Sequence, residues 1–289
     1  MRALVPVLTV VAAIVALWYG GSVWLNSQWT HDQAARVGVE VSLTGVVADT
    51  MMQERPVLPA PHQVAKGLWD GVMGQRITSK RSLVWHGWIT LSATMLGFAI
   101  GTAAGIALAV GIVHSRAMDL SVMPWAIASQ TVPILAIAPM VIVVLGGPPM
   151  NLPPLIAKAV IAAYLTFFPV VVGMVKGLRS PDAMQLDLLR TYNASALDTL
   201  IKLRLPAAMP YLFASLKVAV AASVVGTIVA ELPSGAVAGL GARLLQGSYY
   251  GQTVQIWAAL FMAATLAAGL VAIIALVERL ALARMGMGR

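Results

Sequence analysis

Apolar runs broken by charge or proline recur along the whole chain. Six of them approach the roughly 20 apolar residues that a membrane-spanning helix needs. They cover about Leu4 to Leu25, Trp88 to Val113, Leu120 to Leu145, Leu155 to Val175, Ala208 to Ala230 and Val254 to Leu276. No soluble fold needs so many apolar runs of this length. The pattern predicts an all-α membrane protein of about six transmembrane helices. It divides the chain into a first transmembrane helix over 1–25, an outer segment over 26–86, and a core of five further helices over 87–289. The first run follows Arg2 and could pass for a secretory signal, but no small-x-small cleavage site follows it. It continues through Trp18, Tyr19 and Trp24, which suit a membrane interface, so an uncleaved span is expected.

Polar and special residues inside these runs carry more detail. Gly97, Gly101 and Gly105 are spaced four apart in the second run. They share one helix face, and the expectation is close packing against another backbone. In the third run Ser129, Gln130 and Thr131 precede Pro133, and Pro139 follows. Each proline removes a backbone donor, and irregular backbone is tolerated at membrane depth where it lines a cavity or is buried in protein. Gln130 and Thr131 are therefore candidates for a pathway lining; the alternative is that Ser129 and Thr131 satisfy the local backbone. Tyr164, Phe167 and Phe168 lie in the fourth run, beside Pro169. They are either core or lipid-facing rings, or, at Tyr164 and Phe168, a stacking surface for a flat solute. Lys158, Lys217 and Glu231 are the intramembrane charges that stand out, and each must snorkel, pair or face the bundle interior. Lys158 is expected to snorkel outward, Lys217 to anchor at the inner side or pair with a carbonyl.

Charge orients the spans. With the N-terminus in the cytoplasm, most Lys and Arg residues fall in inner loops, as membrane topology favours. The short outer loop 146–154 then has no basic residue, and the loop 232–253 has only Arg243. Both termini are expected inside. The formal net charge is +8, yet only 10% of residues are charged and 59% are hydrophobic. That is too few charges for a basic face, which excludes nucleic acid as a partner. There is no cysteine, so thiolate metal sites and cysteine catalysis are excluded.

The inner segment 179–210 differs from the rest. Ser180 can cap a helix starting at Pro181, with Asp182 near its positive end. Leu186, Leu189, Ala196, Leu197, Leu200 and Leu203 recur at helical spacing. Asn193 interrupts them and suits a turn with left-handed backbone. The segment reads as helix, turn, helix, stopped by Pro206 and Pro210. It is a solvated hairpin, a lipid-surface element or a docking knob.

A resemblance bears on that choice. DLLRTYNAS (Asp187 to Ser195) followed by LPAAMP (Leu205 to Pro210) resembles the signature of ATP-binding-cassette importer permeases, nearest to the nitrate, sulfonate and taurine group, which reads roughly EAARTLGAS and LPAALP. Asp187 stands where that group has Glu, Leu188 and Leu189 replace two alanines, and Asn193 replaces a glycine. Val57 to Asp70 is similar to the segment before the group's second span. Val224 to Leu244 is similar to the end of its fifth, with Glu231 and Gly239-Leu240-Gly241 matching. Residues 26–54 resemble nothing in the group and read as an insertion, either a platform for a partner or a loop.

The resemblance implies a type I ABC importer permease fold with a cytoplasmic coupling-helix hairpin, in a bacterial inner membrane. It implies two ATPase subunits docked on the hairpins of two permease chains, a second copy or a paralogue. It also implies a periplasmic substrate-binding protein that delivers the solute. ATP and Mg would sit on the ATPase, with no cofactor in this chain and lipid around it. The coupling residues would be Asp187, Arg190, Thr191, Asn193, Ala194, Ser195, Leu205 and Pro206. Glu231 would join Gln130, Thr131, Tyr164 and Phe168 on the solute path, as part of an outer gate or as an interfacial carboxylate in water.

Enzyme chemistry has no foothold. GxxxxGK[ST], HExxH and GxSxG motifs are all absent, so ATP hydrolysis belongs to another chain. The rival readings are a secondary active transporter not driven by ATP, or a membrane scaffold that docks a partner. The solute reads as a nitrogen heterocycle of the pyrimidine or thiamine-precursor type, or a nitrate-, sulfonate- or taurine-like anion.

Overall fold

The computed structural model describes residues 4–233 and 238–287, and all regular structure among them is helical. In chain order the helices are α1 (Leu4–Val37), α2 (Leu43–Thr50), α3 (Pro61–Val72), α4 (Leu83–His114), α5 (Arg116–Ser129), α6 (Ile134–Gly146), α7 (Pro154–Leu178), α8 (Ala183–Thr191) and α9 (Ala196–Thr199). A π-helical turn (Leu200–Arg204) then leads into α10 (Leu205–Glu231), followed by α11 (Leu240–Tyr249) and α12 (Thr253–Arg284).

Five helices are long and apolar enough to span a membrane, or six if the pair α5 and α6, bent by 98°, counts as one. Even the 25-residue α7 is about 37 Å long at 1.5 Å per residue, more than the ~30 Å hydrocarbon thickness. The break in the third span falls at Pro133, as the prolines suggest, whereas Pro139 is accommodated inside α6.

The chain forms two compact units. The first comprises residues 1–86 and 242–262. Here the sequence expectation needs correction: α1 does not stop near Leu25 but runs on to Val37, and the segment 26–54 is largely helix. Ser42 caps α2 by accepting from the Gly45 amide. Thr30 of α1 donates to Asp49 of α2 at 2.7 Å, and Gln53 donates to the same carboxylate at 3.1 Å. These two bonds hold the Asp49 carboxyl below its ordinary range. The buried Asn26 side chain acts as a surrogate peptide: its Oδ1 accepts from the amides of Val57 and Leu58, and its Nδ2 donates to the Leu58 carbonyl. The proline-rich stretch Pro56–Pro59 cannot pair its own carbonyls, so other elements do so. Trp18 donates to Pro59, Ser22 to Leu58 and Thr253 to Pro56. Trp18 also lies against Trp257 and Phe261, at 5.0 and 5.8 Å between ring centres.

The second unit comprises residues 87–241 and 263–289. Its core is α7, whose Ile161, Val170, Val171, Met174 and Leu178 are fully buried. The glycine row of α4 lies along it. A Cβ at Gly97 would come within 2.6 Å of the Ala159 carbonyl, at Gly101 within 2.6 Å of Thr166 Cβ, and at Gly105 within 2.8 Å of Val170 Cβ. The two sets of residues advance together, so α4 and α7 run parallel. On α10 the order reverses: Gly177 meets Ala208, Gly173 meets Ser215, and Gly226 meets Ala162. Helices α7 and α10 are therefore antiparallel, as alternating spans require.

This seam leaves no room for a side chain. Gly101→Leu should lower the apparent stability of the detergent-solubilised chain by about 1–3 kcal/mol, the usual cost of overpacking. Gly269→Leu on α12, where nothing lies within 4 Å, should be nearly silent. Thermal unfolding of the two variants side by side checks the contrast; equal melting would refute the seam.

Candidate functional site

The inner hairpin is built by local rules, with one shift from expectation. Ser180 does not cap α8; its hydroxyl donates to the Gly177 carbonyl at the end of α7. The cap is Asp182, whose backbone amide is in turn satisfied by Gln185 at 3.3 Å. Asp187 and Arg190 form an exposed pair at 3.0 Å on α8, a geometry of small energetic weight. Thr191 donates to the Leu188 carbonyl. Asn193 has φ +50°, the left-handed conformation its residue type tolerates and that the turn needs. The amides of Asn193 and Ala194 then reach back to Arg190 and Leu189. Ser195 caps α9 by accepting from the Asp198 amide at 3.1 Å.

The second arm does not stop at proline, contrary to the sequence reading. Pro206 sits in the first turn of α10 and Pro210 within it. Pro206 comes just after the π turn, where the Leu205 amide already bonds back to the Leu200 carbonyl and the regular ladder is interrupted. Through the π turn, α9 and α10 make one helical rod of 36 residues from Ala196 to Glu231. Leu205 packs with the core around α7, and Arg204 donates to the Leu178 carbonyl at 2.8 Å. Leu186, Leu189, Leu200 and Leu203 are half-buried, whereas Leu188, Tyr192, Leu197 and Ile201 are more than half exposed.

A second cluster lies at the far end of the same rod. Glu231 is wholly buried. Its carboxylate accepts from Lys158 at 3.1 Å, from Thr90 at 3.0 Å and from the Gly241 amide at 2.8 Å. Lys158 also donates to the Ala238 carbonyl, and the Leu240 amide donates to Thr90. Two sequence expectations fall here. Lys158, 5% exposed, does not snorkel, and Glu231 is not a carboxylate in water. A buried charge is tolerated when it is paired and hydrogen-bonded, and each supplies the other's partner. The Gly-Leu-Gly sequence follows from the same contact. Gly239 has φ +127°, and a Cβ there would fall inside the Glu231 carboxylate. At Gly241 a Cβ would lie 2.5 Å from the Ile228 carbonyl. The 234–237 part of this motif lies outside the described residues. Lys217 pairs with Glu278 of α12 at 2.8 Å, rather than with a carbonyl.

The bent third span brings a third group together. Gln130 and Thr131 sit exposed at the break between α5 and α6. Ser129 and Thr131 donate to the local carbonyls of Ala126 and Ala128, which is the backbone-satisfying alternative. The Tyr164 hydroxyl donates to the Ser129 carbonyl at this break. Phe168 is one turn further along α7.

Residues 101–285 match the family model described as the binding-protein-dependent transport system inner membrane component. This chain belongs to that family. A probable ABC transporter permease protein of Haemophilus influenzae is 30% identical over 78% of this chain and 86% of the relative. The riboflavin transport system permease protein RibX of Chloroflexus aurantiacus is 30% identical over 78% of the chain and 79% of the relative. The formylaminopyrimidine transport permease protein ThiX of Halalkalibacterium halodurans is 27% identical over 64% and 69%. The chain is thus an ABC importer permease with the type I fold, a transport subunit and not an enzyme; the ATPase of such systems is a separate subunit.

In the permease, the coupling residues named from the signature all fall on the hairpin or its junction with α10. Gln130, Thr131 and Tyr164 meet at the α5–α6 break, while Glu231 belongs to the Lys158 cluster. Thr90 and Glu278 escaped the sequence reading. Thr90 carries no local signal, since it stands 141 residues from the carboxylate it serves. Removing one member of the buried pair should be costly. Lys158→Met alone should destabilise the permease by about 3–5 kcal/mol, and adding Glu231→Gln should restore a large part of that loss. A double-mutant cycle by thermal unfolding reads the coupling; additive losses would show that the pair does not act as a unit.

Proposed function

We propose that this permease is driven by ATP through its inner hairpin, 182–205, which receives an ATPase subunit. The observation that carries the reading is the single rod from Ala196 to Glu231, which leads out of a hairpin whose Leu188, Tyr192, Leu197 and Ile201 are each more than half exposed. Exposed aromatic and aliphatic residues concentrated in one short segment suit a protein contact more than a solvated surface. Movement at the hairpin passes along the continuous helix into α10, and through the close α7–α10 packing into the bundle. Two such permease chains and two ATPases, with ATP and Mg on the latter, form the transporter. A binding protein delivers the solute from outside, and both termini face the cytoplasm of a bacterial inner membrane.

The solute is a flat nitrogen heterocycle. Tyr164 and Phe168 provide rings beside the break at Gln130 and Thr131, and relatives are named for riboflavin and formylaminopyrimidine. Stacking on such rings suits a planar ligand.

Leu188→Asp combined with Leu197→Asp places charge on the docking face without touching the buried bundle. The double variant should insert normally, fail to co-purify with the ATPase and lose uptake. Asn193→Val, which forces a β-branched residue into left-handed backbone at a cost of about 1–3 kcal/mol, should uncouple ATP hydrolysis from uptake. Uptake that persists on an ion gradient with the ATPase inactivated would instead establish a secondary transporter.

A further inference from the structure

Unit 1 contains a cavity of about 620 Å³, within the ~300–1,000 Å³ range of small-ligand sites. Leu83, Val254 and Ala258 form its apolar lining, and Arg55, Arg81 and Arg243 bring three guanidinium groups to it. Among the described residues, no carboxylate stands at ion-pair distance from Arg81 or Arg243. The Nε of Arg243 is buried and has no hydrogen-bond partner. Its Nη1 reaches Gln246 only at 3.5 Å, beyond a good hydrogen bond. Gln255 donates to the Arg243 carbonyl at 3.2 Å and so fixes its backbone. Burial and then the Arg81 charge pull the Arg243 guanidinium below its ordinary ionisation range. The protein therefore brings two arginines that lack a carboxylate partner among the described residues to the lining of one ligand-sized space. Placing like charges near one another is unfavourable unless a counter-charge is close, and neither Glu54 nor Asp70 of the same lining reaches ion-pair distance of these arginines.

We propose that this cavity is a binding site for a small organic anion, with Arg81 and Arg243 as paired donors to its carboxylate or sulfonate group. A guanidinium fork matches such an oxyanion in both shape and charge. The apolar lining accepts the ligand's carbon body. Glu54 and Asp70, which also line the cavity, provide acceptors for an N–H elsewhere on the ligand and disfavour multiply charged inorganic anions. The site is built from unit 1 alone, whereas Gln130, Tyr164 and Phe168 belong to unit 2. The proposal stands whichever side of the membrane the cavity faces and whatever drives transport.

The test uses the purified full-length permease in lipid nanodiscs, without an ATPase, with methanesulfonate as the probe and sodium chloride at matched ionic strength as the control. A ligand that binds only the folded state raises the apparent Tm. Methanesulfonate should raise it by about 3 °C or more, and chloride should not. Arg243→Gln and Arg81→Gln should each abolish that shift. Each should also melt no lower than the parent when no anion is present, because one of two cations in the shared lining has been removed. Arg81→Lys, which keeps the charge and loses the fork, should retain a reduced shift. The proposal is overturned by an equal shift with chloride, by an undiminished methanesulfonate shift in Arg243→Gln, or by no shift in the parent. It is also overturned if Arg243→Gln melts well below the parent without anion, since the arginine would then be a structural tie.

Discussion

Helices inside a bilayer gain little from hydrophobicity when they associate, because the lipid is as apolar as their side chains. They are held instead by close backbone approach and by polar pairs that cannot find water. Both kinds of contact converge on α7. The α4 glycines lie against one side of it, and Gly173 and Gly177 open it to α10. Near its first turns, Lys158 meets Glu231. The remaining features of unit 2 depend on this arrangement, since a side chain in either seam would separate the helices that carry the hairpin, the bent span and the buried carboxylate.

The rod from Ala196 to Glu231 joins two sites that differ in chemistry. At one end is the hairpin, exposed and built from caps, a left-handed asparagine and surface ion pairs. At the other is a carboxylate with no exposure, clamped by a lysine, a threonine and a glycine amide. At 1.5 Å per residue the rod is about 54 Å long. A docking partner acting on the hairpin would thus move a helix whose far end is fastened through Glu231 to Lys158, Thr90 and the Gly241 amide. Such a helix transmits displacement through its continuity; the π turn changes its winding without ending it.

The two glycines after Glu231 show why a short motif can be physically necessary without being chemically active. Gly239 and Gly241 bind nothing through side chains. They allow the loop to wrap a carboxylate closely enough for the Gly241 amide to donate to it, which contributes to the pairing a buried charge needs. The arginine-lined cavity of unit 1 poses the opposite situation, where Arg81 and Arg243 share a lining and neither has a carboxylate at ion-pair distance among the described residues.

Much was legible along the chain because its causes are local. Five spans, or six with the bent α5–α6 pair, follow from the length of the apolar runs, the α4 packing face from a four-residue glycine spacing, the break between α5 and α6 from Pro133, and the hairpin turn from the tolerance of Asn193 for positive φ. Other features depended on contacts that no local pattern encodes. Lys158 looked like a snorkelling lysine because its carboxylate partner is 73 residues away. The continuation of α1 to Val37 depended on α2 and the 57–58 backbone, which satisfy Asn26 and Thr30. The uninterrupted entry into α10 depended on the π turn just before Pro206, which no local pattern in the sequence announces. Sequence alone determined which segments are apolar, where the backbone breaks, and the resemblance to a permease family. Only tertiary structure decided which buried charges neutralise one another and which helices touch, because a charge in a low-dielectric interior is stabilised by whatever the fold brings beside it.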